Sequence, residues 1–338
     1  MAAAARSLAR PRSGRGGGEL TTRAAVVTRA RQATITTIDL GGLAPGHVRV
    51  DVEGCGVCGS NLPVWEGRDW FEYPLPPGAP GHEGWGTIAA VGDDVTDVRV
   101  GDRVAFLGER AFADATDVPS ADVVVLPREL DGQPFPGEAI GCAVNAARRA
   151  RFEPGQTVAV IGIGFIGAIV TALAADAGAH VIAISRRAFS LDIARTMGAK
   201  DVVSLDEQWR VVDAVTDATG GALCDVVVEA VGTQDPLDLA GKLARESGRL
   251  VIAGFHQDGA RTLDIGMWNW KGLDVVNAHF RDRRVALDGI RAAAGLVAAG
   301  RLDPAPLYTH RFPLDRLGDA MDAMVERPDG FLKAITTR

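Results

Sequence analysis

The sequence predicts an α/β fold in two parts: a mostly β region near the N-terminus and a doubly wound parallel sheet in the middle of the chain. Residues 22–130 carry short apolar strand patterns, whereas strands alternate with helices from about Glu138 onward. The segment TVAVIGIGFIGAIVTALAADAGAHVIAISRR, from Thr157 to Arg187, has the pattern of a strand, a glycine-rich turn, a helix and a second strand. At 338 residues the chain is long enough for two domains.

Three glycines define the turn in that segment. Gly162, Gly164 and Gly167 have G-x-G-x-x-G spacing, with Phe165 and Ile166 between the last two. We expect the first glycine to allow a tight turn, the second to let the backbone approach a pyrophosphate, and the third to let the helix lie against the strand. The free N–H groups of the helix N-terminus would suit a phosphate. This context favours a dinucleotide site over an ordinary strand–helix turn.

The end of the second strand indicates which dinucleotide binds. Ser185, Arg186 and Arg187 stand where an acidic residue would hold the ribose 2′-OH of NAD(H). Because a planar guanidinium can bind a 2′-phosphate with two hydrogen bonds, the sequence favours NADP(H) over NAD(H). The alternative is that both arginines are solvated on a surface loop.

The remaining elements follow in chain order. Alternation from Thr22 to Glu53 predicts three strands, and GCGVCGSN predicts a tight corner that opens a short helix, followed by a loop over 68–81. Further strands are predicted at 87–91, 103–107, within 112–126, and at 201–205, 225–230, 249–253 and 273–277. Helices are predicted at 139–151, 168–177, 189–197, 208–216, 236–243 and 284–299, before a strand–helix–strand tail.

Composition limits the classes of function. The chain is 47% hydrophobic and 23% charged, which is ordinary for a soluble globular protein, and no apolar run approaches the ~20 residues that span a bilayer. A net charge of −7 argues against a nucleic-acid partner.

The cysteines are too few for a disulfide framework, so we expect a reducing, cytoplasmic location. Residues 1–21 are expected to be disordered, with a transit peptide or an overlong start as explanations.

Two separate corners carry residues that can bind zinc. Cys58 lies in GVCGSN, and His82 with Glu83 lies in GHEGWG. A thiolate and an imidazole are credible Zn²⁺ ligands, and the carboxylate of Glu83 or Glu138 could supply a third. On spacing alone, a structural role for the cysteine and the histidine is an equal alternative.

Taken together, these motifs resemble the zinc-containing medium-chain alcohol and polyol dehydrogenase family. The resemblance rests on GVCGSN, GHEGWG, GDRV, GIGFIG and the tail segments FPLDRLGDAMDAM and FLKAI, and it covers Thr22 to the C-terminus in order. It implies a GroES-like β catalytic domain, made from both ends of the chain, around an inserted Rossmann domain. The implied boundaries are 22–138 and 279–338 for the GroES-like domain and 139–278 for the Rossmann domain.

The resemblance also implies roles for single residues. Cys58 and His82 match the metal ligands of the family, and Glu83 matches an acidic residue that can join or leave the metal. Ser60 matches the hydroxyl that passes the alcohol proton to solvent. Lys333 matches a basic position that reaches the cofactor phosphates.

The third zinc ligand and three departures from the family pattern affect the expected chemistry. Glu138 takes the place of the third ligand, with Cys142 one helical turn later as the alternative. The four-cysteine lobe that holds a structural zinc in many relatives is missing, so one catalytic zinc is expected. Asn61 replaces an aspartate behind the ligands. Pro63 replaces a proton-relay histidine, so the proton would leave through the serine hydroxyl and water, or by another route.

The implied reaction is hydride transfer between NADP(H) and an alcohol or ketone. Trp65, Trp70 and Phe71 are expected to line the substrate pocket, with packing in the core as the alternative. Asn145 is expected to orient substrate hydroxyls. This mixture of side chains favours a polyol, sugar or cyclitol as substrate. Two alternatives stay open: an NADPH-dependent reductase of an activated C=C or C=N bond, and a non-catalytic cofactor-binding protein. The apolar strand at 273–277, at a sheet edge, predicts a homodimer or homotetramer.

Overall fold

Two large sheets organise residues 20–338, the part of the chain that the computed structural model describes. The expectation for residues 1–21 therefore lies almost entirely outside the described residues. Within the described part, no helix has both the length and the apolar character needed to cross a membrane.

The N-terminal region is built from strands whose apolar side chains face a common core. Its elements are β1 (Thr21–Arg29), β2 (Gln32–Asp39), β3 (His47–Gly56), α1 (Leu62–Glu66), β4 (Glu83–Val91), β5 (Arg103–Phe106), β6 (Ala115–Pro119) and β7 (Val123–Val125). The strands and the short helix overlap the predicted ones, but β4 begins four residues earlier than predicted, and the predicted segment 112–126 contains two strands.

The middle of the chain alternates strands and helices. Its elements are α2 (Gly137–Ala150), β8 (Thr157–Ile161), α3 (Phe165–Asp176), β9 (His180–Ser185), α4 (Ala188–Thr196), β10 (Asp201–Ser204), α5 (Gln208–Ala218), β11 (Cys224–Glu229), α6 (Gln234–Leu243), β12 (Ala244–Ile252), α7 (Ile265–Lys271) and β13 (Asp274–Asn277). The strands pair in parallel in the order β10-β9-β8-β11-β12-β13. This is the predicted doubly wound sheet.

Two helices differ most from the sequence prediction, and strand β12 begins five residues earlier than predicted. Helix α3 begins at Phe165 rather than Ala168, because Gly164 already has the extended backbone of an N-cap residue. Helix α7 is absent from the prediction, because seven residues with two tryptophans show no clear helical period.

The end of the chain returns to the N-terminal sheet. It consists of α8 (Arg283–Ala298), β14 (His310–Pro313), α9 (Leu317–Glu326) and β15 (Ala334–Thr337). Strand β15 pairs antiparallel with β3 and parallel with β14, which gives the order β14-β15-β3-β4-β5-β7, with β6 also paired to β3. The seven-stranded sheet therefore combines strands of the N-terminal region with the last two strands of the described chain, whereas β1 and β2 pair with each other in a separate two-stranded sheet.

Helices α2 and α8 pack closely against each other between the two sheets. A Cβ atom at Gly141 would lie 2.8 Å from the backbone nitrogen of Ile290, and one at Gly289 would lie 2.8 Å from the carbonyl oxygen of Gly141. Because glycine has no side chain, the two backbones can approach this closely. Helix α2 thus begins beside the β-rich sheet and leads directly into β8.

Candidate active site

The pairing of β3 and β4 brings the two candidate metal corners together. Gly56 and Glu83 are partners in this antiparallel pair, so Cys58 and His82, just beyond the paired positions, lie side by side. One donor atom from each of Cys58, His82 and Glu83 lies within 4.8 Å of the others. A Cβ atom at Gly56 would overlap the Glu83 carboxylate, which explains the glycine at this position.

Hydrogen bonds from neighbouring groups orient the cysteine and the histidine. The Nδ1 atom of His82 lies 2.9 Å from the carbonyl oxygen of Pro80, so Nδ1 donates to this oxygen and Nε2 is the nitrogen that would bind a metal. Asn61 accepts from the Cys58 backbone N–H at 3.0 Å and donates to the same Pro80 carbonyl at 3.2 Å. Although Asn61 lacks the charge of an aspartate, it connects both corners, a role that the sequence did not reveal.

The electrostatics of the cluster favour a cation. Burial lowers the pKa of His82, but its hydrogen bond to Cys58 and the negative charges of Cys58, Glu138 and Glu83 outweigh this and raise the pKa to about 10. A site that stabilises a positive charge so strongly also attracts a metal dication. Sulfur, imidazole and carboxylate together are the ligands that zinc prefers, so these residues fit a zinc ion.

Glu83 is paired with a lysine from the end of the chain. Its carboxylate is fully buried, with its two oxygens 2.7 Å and 2.6 Å from Nζ of the buried Lys333. The pairing of β15 with β3 places Lys333 here. The same Nζ lies 4.9 Å from the ring centroid of Phe165, so Lys333 connects the metal cluster with the start of α3. Since Lys333 binds Glu83, its contact with cofactor phosphates stays a prediction.

Helix α2 supplies the other candidate ligands. The thiol of Cys142 donates to Oε1 of Glu138 at 3.2 Å, and the charge of Glu138 acts on His82. Glu138 is nevertheless outside the compact group formed by Cys58, His82 and Glu83. Which carboxylate completes the ligand set therefore stays a prediction.

Ser60 lies on the solvent side of the cluster. Its Oγ atom is 3.4 Å from Nε2 of His82, and the residue is exposed. This placement is compatible with the expected transfer of a proton to water.

Two of the expected pocket residues lie elsewhere. Trp65 is 1% exposed and belongs to the core, where its Nε1–H donates to Asp322 at 2.8 Å. Asn145 is 2% exposed and donates to the carbonyl oxygen of Val285 at 2.9 Å, between α2 and α8. The structure therefore corrects both predictions, because neither side chain is available to a substrate.

The other aromatic residues lie on the loop between the ligand segments. Trp70 is 63% exposed, and its ring centroid is 6.0 Å from that of the half-buried Phe71. On the same loop, the guanidinium of Arg68 lies 3.5 Å from the carboxylate of Asp258, which follows β12. The loop thus contacts a turn at the carboxyl edge of the parallel sheet.

The glycine turn has the geometry that its sequence predicts. Gly162 has φ +94°, and a Cβ at Gly167 would overlap the Gly162 carbonyl oxygen. A Cβ at Gly164 would meet nothing within 4 Å. Phe165 and Ile166 form the first turn of α3, beside this open space. The backbone is therefore accessible where a pyrophosphate is expected.

Three arginines gather beyond the end of β9. The guanidinium of Arg187 donates to the carbonyl oxygen of Phe331 at 2.6 Å, and the backbone N–H of Arg187 lies 3.5 Å from Oγ of the buried Ser185. Burial, followed by the charges of Arg327 and Arg186, lowers the pKa of Arg187. Burial and Arg186 likewise lower the pKa of Arg327. Positive charge is thus concentrated beyond the end of β9.

The contribution of Arg327 could not be found from the sequence. It lies about 140 residues after Arg187 along the chain, and caps the end of α9 with φ +48°. Nothing in the local pattern connects it with the nucleotide-binding segment.

Known proteins match the chain over most of its length. The family models described as "Alcohol dehydrogenase GroES-like domain" and "Zinc-binding dehydrogenase" match residues 44–128 and 166–292. A putative D-xylulose reductase of Agrobacterium fabrum is 30% identical over 327 residues, which cover 85% of this chain and 89% of the relative. Sorbitol dehydrogenase of Bacillus subtilis is 26% identical, over 93% of this chain and 96% of the relative.

A solved structure has the same fold. The crystal structure of a putative zinc-binding dehydrogenase from Sinorhizobium meliloti, bound to NADP, has a TM-score of 0.81 at 24% identity and covers 94% of this chain and 99% of that chain. The predicted combination of a GroES-like domain with a Rossmann sheet is thereby confirmed. The chain is an oxidoreductase that belongs to the zinc-containing medium-chain alcohol and polyol dehydrogenase family.

Proposed function

We propose that this oxidoreductase is a zinc-dependent dehydrogenase that transfers hydride between NADP(H) and an alcohol or ketone, with a polyol, sugar or cyclitol as substrate. The observation that carries the proposal is the compact group of Cys58, His82 and Glu83 donor atoms, joined through Lys333 to Phe165 at the glycine turn. The contacts of Lys333 with Glu83 and Phe165 support a metal centre and a dinucleotide site next to each other.

Cys58, His82 and either Glu83 or Glu138 would hold the zinc. When bound, zinc would polarise the substrate oxygen as a Lewis acid. Ser60, beside His82 and exposed to solvent, would exchange a proton with water. Within residues 20–338 no second group of three such side chains converges as closely. One zinc per chain is part of the proposal.

The three arginines support NADP(H) as the cofactor. Half-buried Arg187 and the exposed Arg186 and Arg327 give a positively charged site that a 2′-phosphate would neutralise. The structurally similar Sinorhizobium meliloti protein is bound to NADP. Two close arginines without a phosphate repel each other, so binding the phosphate would relieve that repulsion.

The names of the relatives support a polyhydroxylated substrate, since one is a sorbitol dehydrogenase and another a putative D-xylulose reductase. The exposed loop with Trp70 and Arg68, between the metal-ligand segments, offers both an apolar and a hydrogen-bonding surface.

We also propose domain boundaries at 138/139 and 278/279. We further propose a homodimer or homotetramer that forms through the exposed edge strand β13.

Metal analysis with a substrate panel tests the reaction. We expect about one zinc per chain, loss of activity on chelation and recovery with Zn²⁺, and NADPH oxidation with hydroxyketones. Full activity after complete metal removal would contradict the proposal. Faster turnover of enones or imines than of ketones would instead favour the reductase alternative.

Substituting an arginine tests the choice of cofactor. Because Arg186 is exposed, Arg186→Ala should fold normally, while its ratio of kcat/KM for NADP⁺ to that for NAD⁺ falls about tenfold or more. Arg195→Ala, at the other end of α4, is the matched control. A wild-type enzyme that prefers NAD⁺ would contradict the choice of NADP(H).

A further inference from the structure

A buried carboxylate connects two turns at the carboxyl edge of the parallel sheet. Glu229, the last residue of β11, is fully buried, and its Oε1 accepts from the backbone N–H groups of Val231 and Gly232 at 2.7 Å each. Its backbone carbonyl oxygen accepts from Ala253 and Gly254, after β12, at 2.8 Å each. Glu229 therefore fixes the turn after β11 and the turn after β12 together.

A histidine and an arginine complete this network. The Nε2 atom of His256 lies 3.0 Å from Oε2 of Glu229, and Nε of Arg261 lies 3.0 Å from Nδ1 of His256. Because a guanidinium can only donate, Nδ1 must accept, and the proton of the neutral imidazole is on Nε2, directed at Glu229. A second guanidinium nitrogen donates to the carbonyl oxygen of Gly232 at 3.0 Å, which closes the ring of contacts.

The connected turns lie beside the glycine turn, on the side away from the arginines. A Cβ atom at Gly162 would overlap the side chain of Val231, so the turn after β11 directly contacts the glycine turn. In the sheet order, β9 with Ser185 lies on one side of β8, while β11 and β12 lie on the other. A dinucleotide whose adenosine half lies at the end of β9 would extend its nicotinamide half over β11 and β12.

We propose that Arg261, His256 and Glu229 are positioning residues for the nicotinamide half of the cofactor. They act through the backbone of Val231 and Gly232. The arginine fixes the histidine tautomer, the histidine donates to the carboxylate, and the carboxylate holds both N–H groups of the turn. This inference rests on the proposed dinucleotide function, but it does not depend on whether NADP(H) or NAD(H) is preferred.

The test compares a whole cofactor with its adenosine fragment. In His256→Ala we expect the Kd for NADPH, measured by its fluorescence, to rise about tenfold, while the Kd for adenosine 2′,5′-bisphosphate, measured by calorimetry, stays within twofold. His256→Gln, which keeps an N–H donor for the carboxylate, should recover most of the NADPH affinity. The matched control is His180→Ala, which removes another histidine–carboxylate pair from the opposite edge of the same sheet.

Amide exchange and NMR give readouts that do not need the cofactor. Hydrogen exchange at Val231 and Gly232 should accelerate at least about tenfold in cofactor-free His256→Ala, and ¹⁵N shifts of wild-type His256 should show a protonated Nε2. Unchanged NADPH affinity, or an equal loss of affinity for the adenosine fragment, would overturn the inference. If the wild type prefers NADH, the same comparison with NADH and ADP tests the positioning role, while the NADP(H) proposal alone fails.

Discussion

The glycine turn and the metal cluster are built in opposite ways. The glycine turn takes its geometry from six consecutive positions, Gly162 to Gly167, and offers backbone groups. The metal cluster takes its side chains from the corner after β3 and from the start of β4, with Lys333 from the segment before β15, and offers ligands and charge. A binding site formed by backbone groups needs residues that leave space for the ligand. A binding site formed by side chains needs segments that are far apart along the chain to be held in a fixed register.

The two regions also differ in electrostatic potential. At the metal cluster, Cys58, Glu138 and Glu83 outweigh burial and raise the pKa of His82, whereas beyond β9 burial and neighbouring arginines lower the pKa of Arg187. The first environment stabilises positive charge and the second destabilises it. The chain thus combines a region suited to a metal cation with a region suited to a phosphate anion.

Removing the sulfur ligand should give the largest effect, because it acts on the side-chain site alone. We expect Cys58→Ala to lose bound zinc and to lower kcat/KM by about 1000-fold, while the Kd for NADPH changes little. Elemental analysis, steady-state kinetics and fluorescence titration measure the three quantities. The control is Cys224→Ala, a buried cysteine at the start of β11. If the variant keeps its zinc, the assignment of Cys58 is wrong.

Removing the positive partner of Glu83 should mainly reduce stability. Lys333→Met leaves a buried carboxylate without its ion pair, which should lower the free energy of unfolding by about 3–5 kcal/mol. Urea denaturation of metal-free protein measures this. Lys242→Met, at an exposed position of α6, should be nearly neutral. Equal stability of the two variants would show that the buried pair contributes little.

Replacing single glycines of the glycine turn should show which of them is needed for cofactor binding and which for stability of the fold. A Cβ at Gly164 meets no protein atom within 4 Å, so Gly164→Ala should keep its Tm but raise the Kd for NADPH about tenfold or more. Gly167→Ala should instead lower Tm, because its Cβ overlaps the Gly162 carbonyl oxygen. Differential scanning fluorimetry and titration distinguish the two. Normal cofactor affinity in Gly164→Ala would place the pyrophosphate elsewhere.

The dependence of zinc affinity on pH should test the electrostatic contrast between the metal cluster and the arginines beyond β9. The pKa of His82 in the folded protein is raised to about 10, from a usual 6.5. Protonated His82 therefore stabilises the metal-free fold below pH ~6.5, and this stabilisation is lost as the pH rises towards about 10. Zinc must displace this proton, so its affinity should rise about tenfold per pH unit between pH 7 and 9. Calorimetry in two buffers of different ionisation enthalpy should detect proton release; affinity independent of pH would contradict the raised pKa.

The sequence by itself determined the local features. The strand–turn–helix–strand unit around Gly162, Gly164 and Gly167 follows from hydrophobic periodicity and from the backbone freedom of glycine. The N-terminal strands follow from the alternation of apolar and polar residues. The family resemblance added Cys58 and His82 as a pair. Each of these features depends on residues a few positions apart, or on a motif that can be identified from its own residues alone.

Only the tertiary structure decided which side chains meet at the metal cluster and which are buried in the core. It placed Trp65 and Asn145 in the interior, paired Lys333 with Glu83, and brought Arg327 to Arg187. The physical reason is that burial and ion pairing depend on segments that are far apart along the chain, here joined by the return of β15 to β3. No local pattern records such contacts, because any of these residue types is equally compatible with a surface position in its own helix or loop.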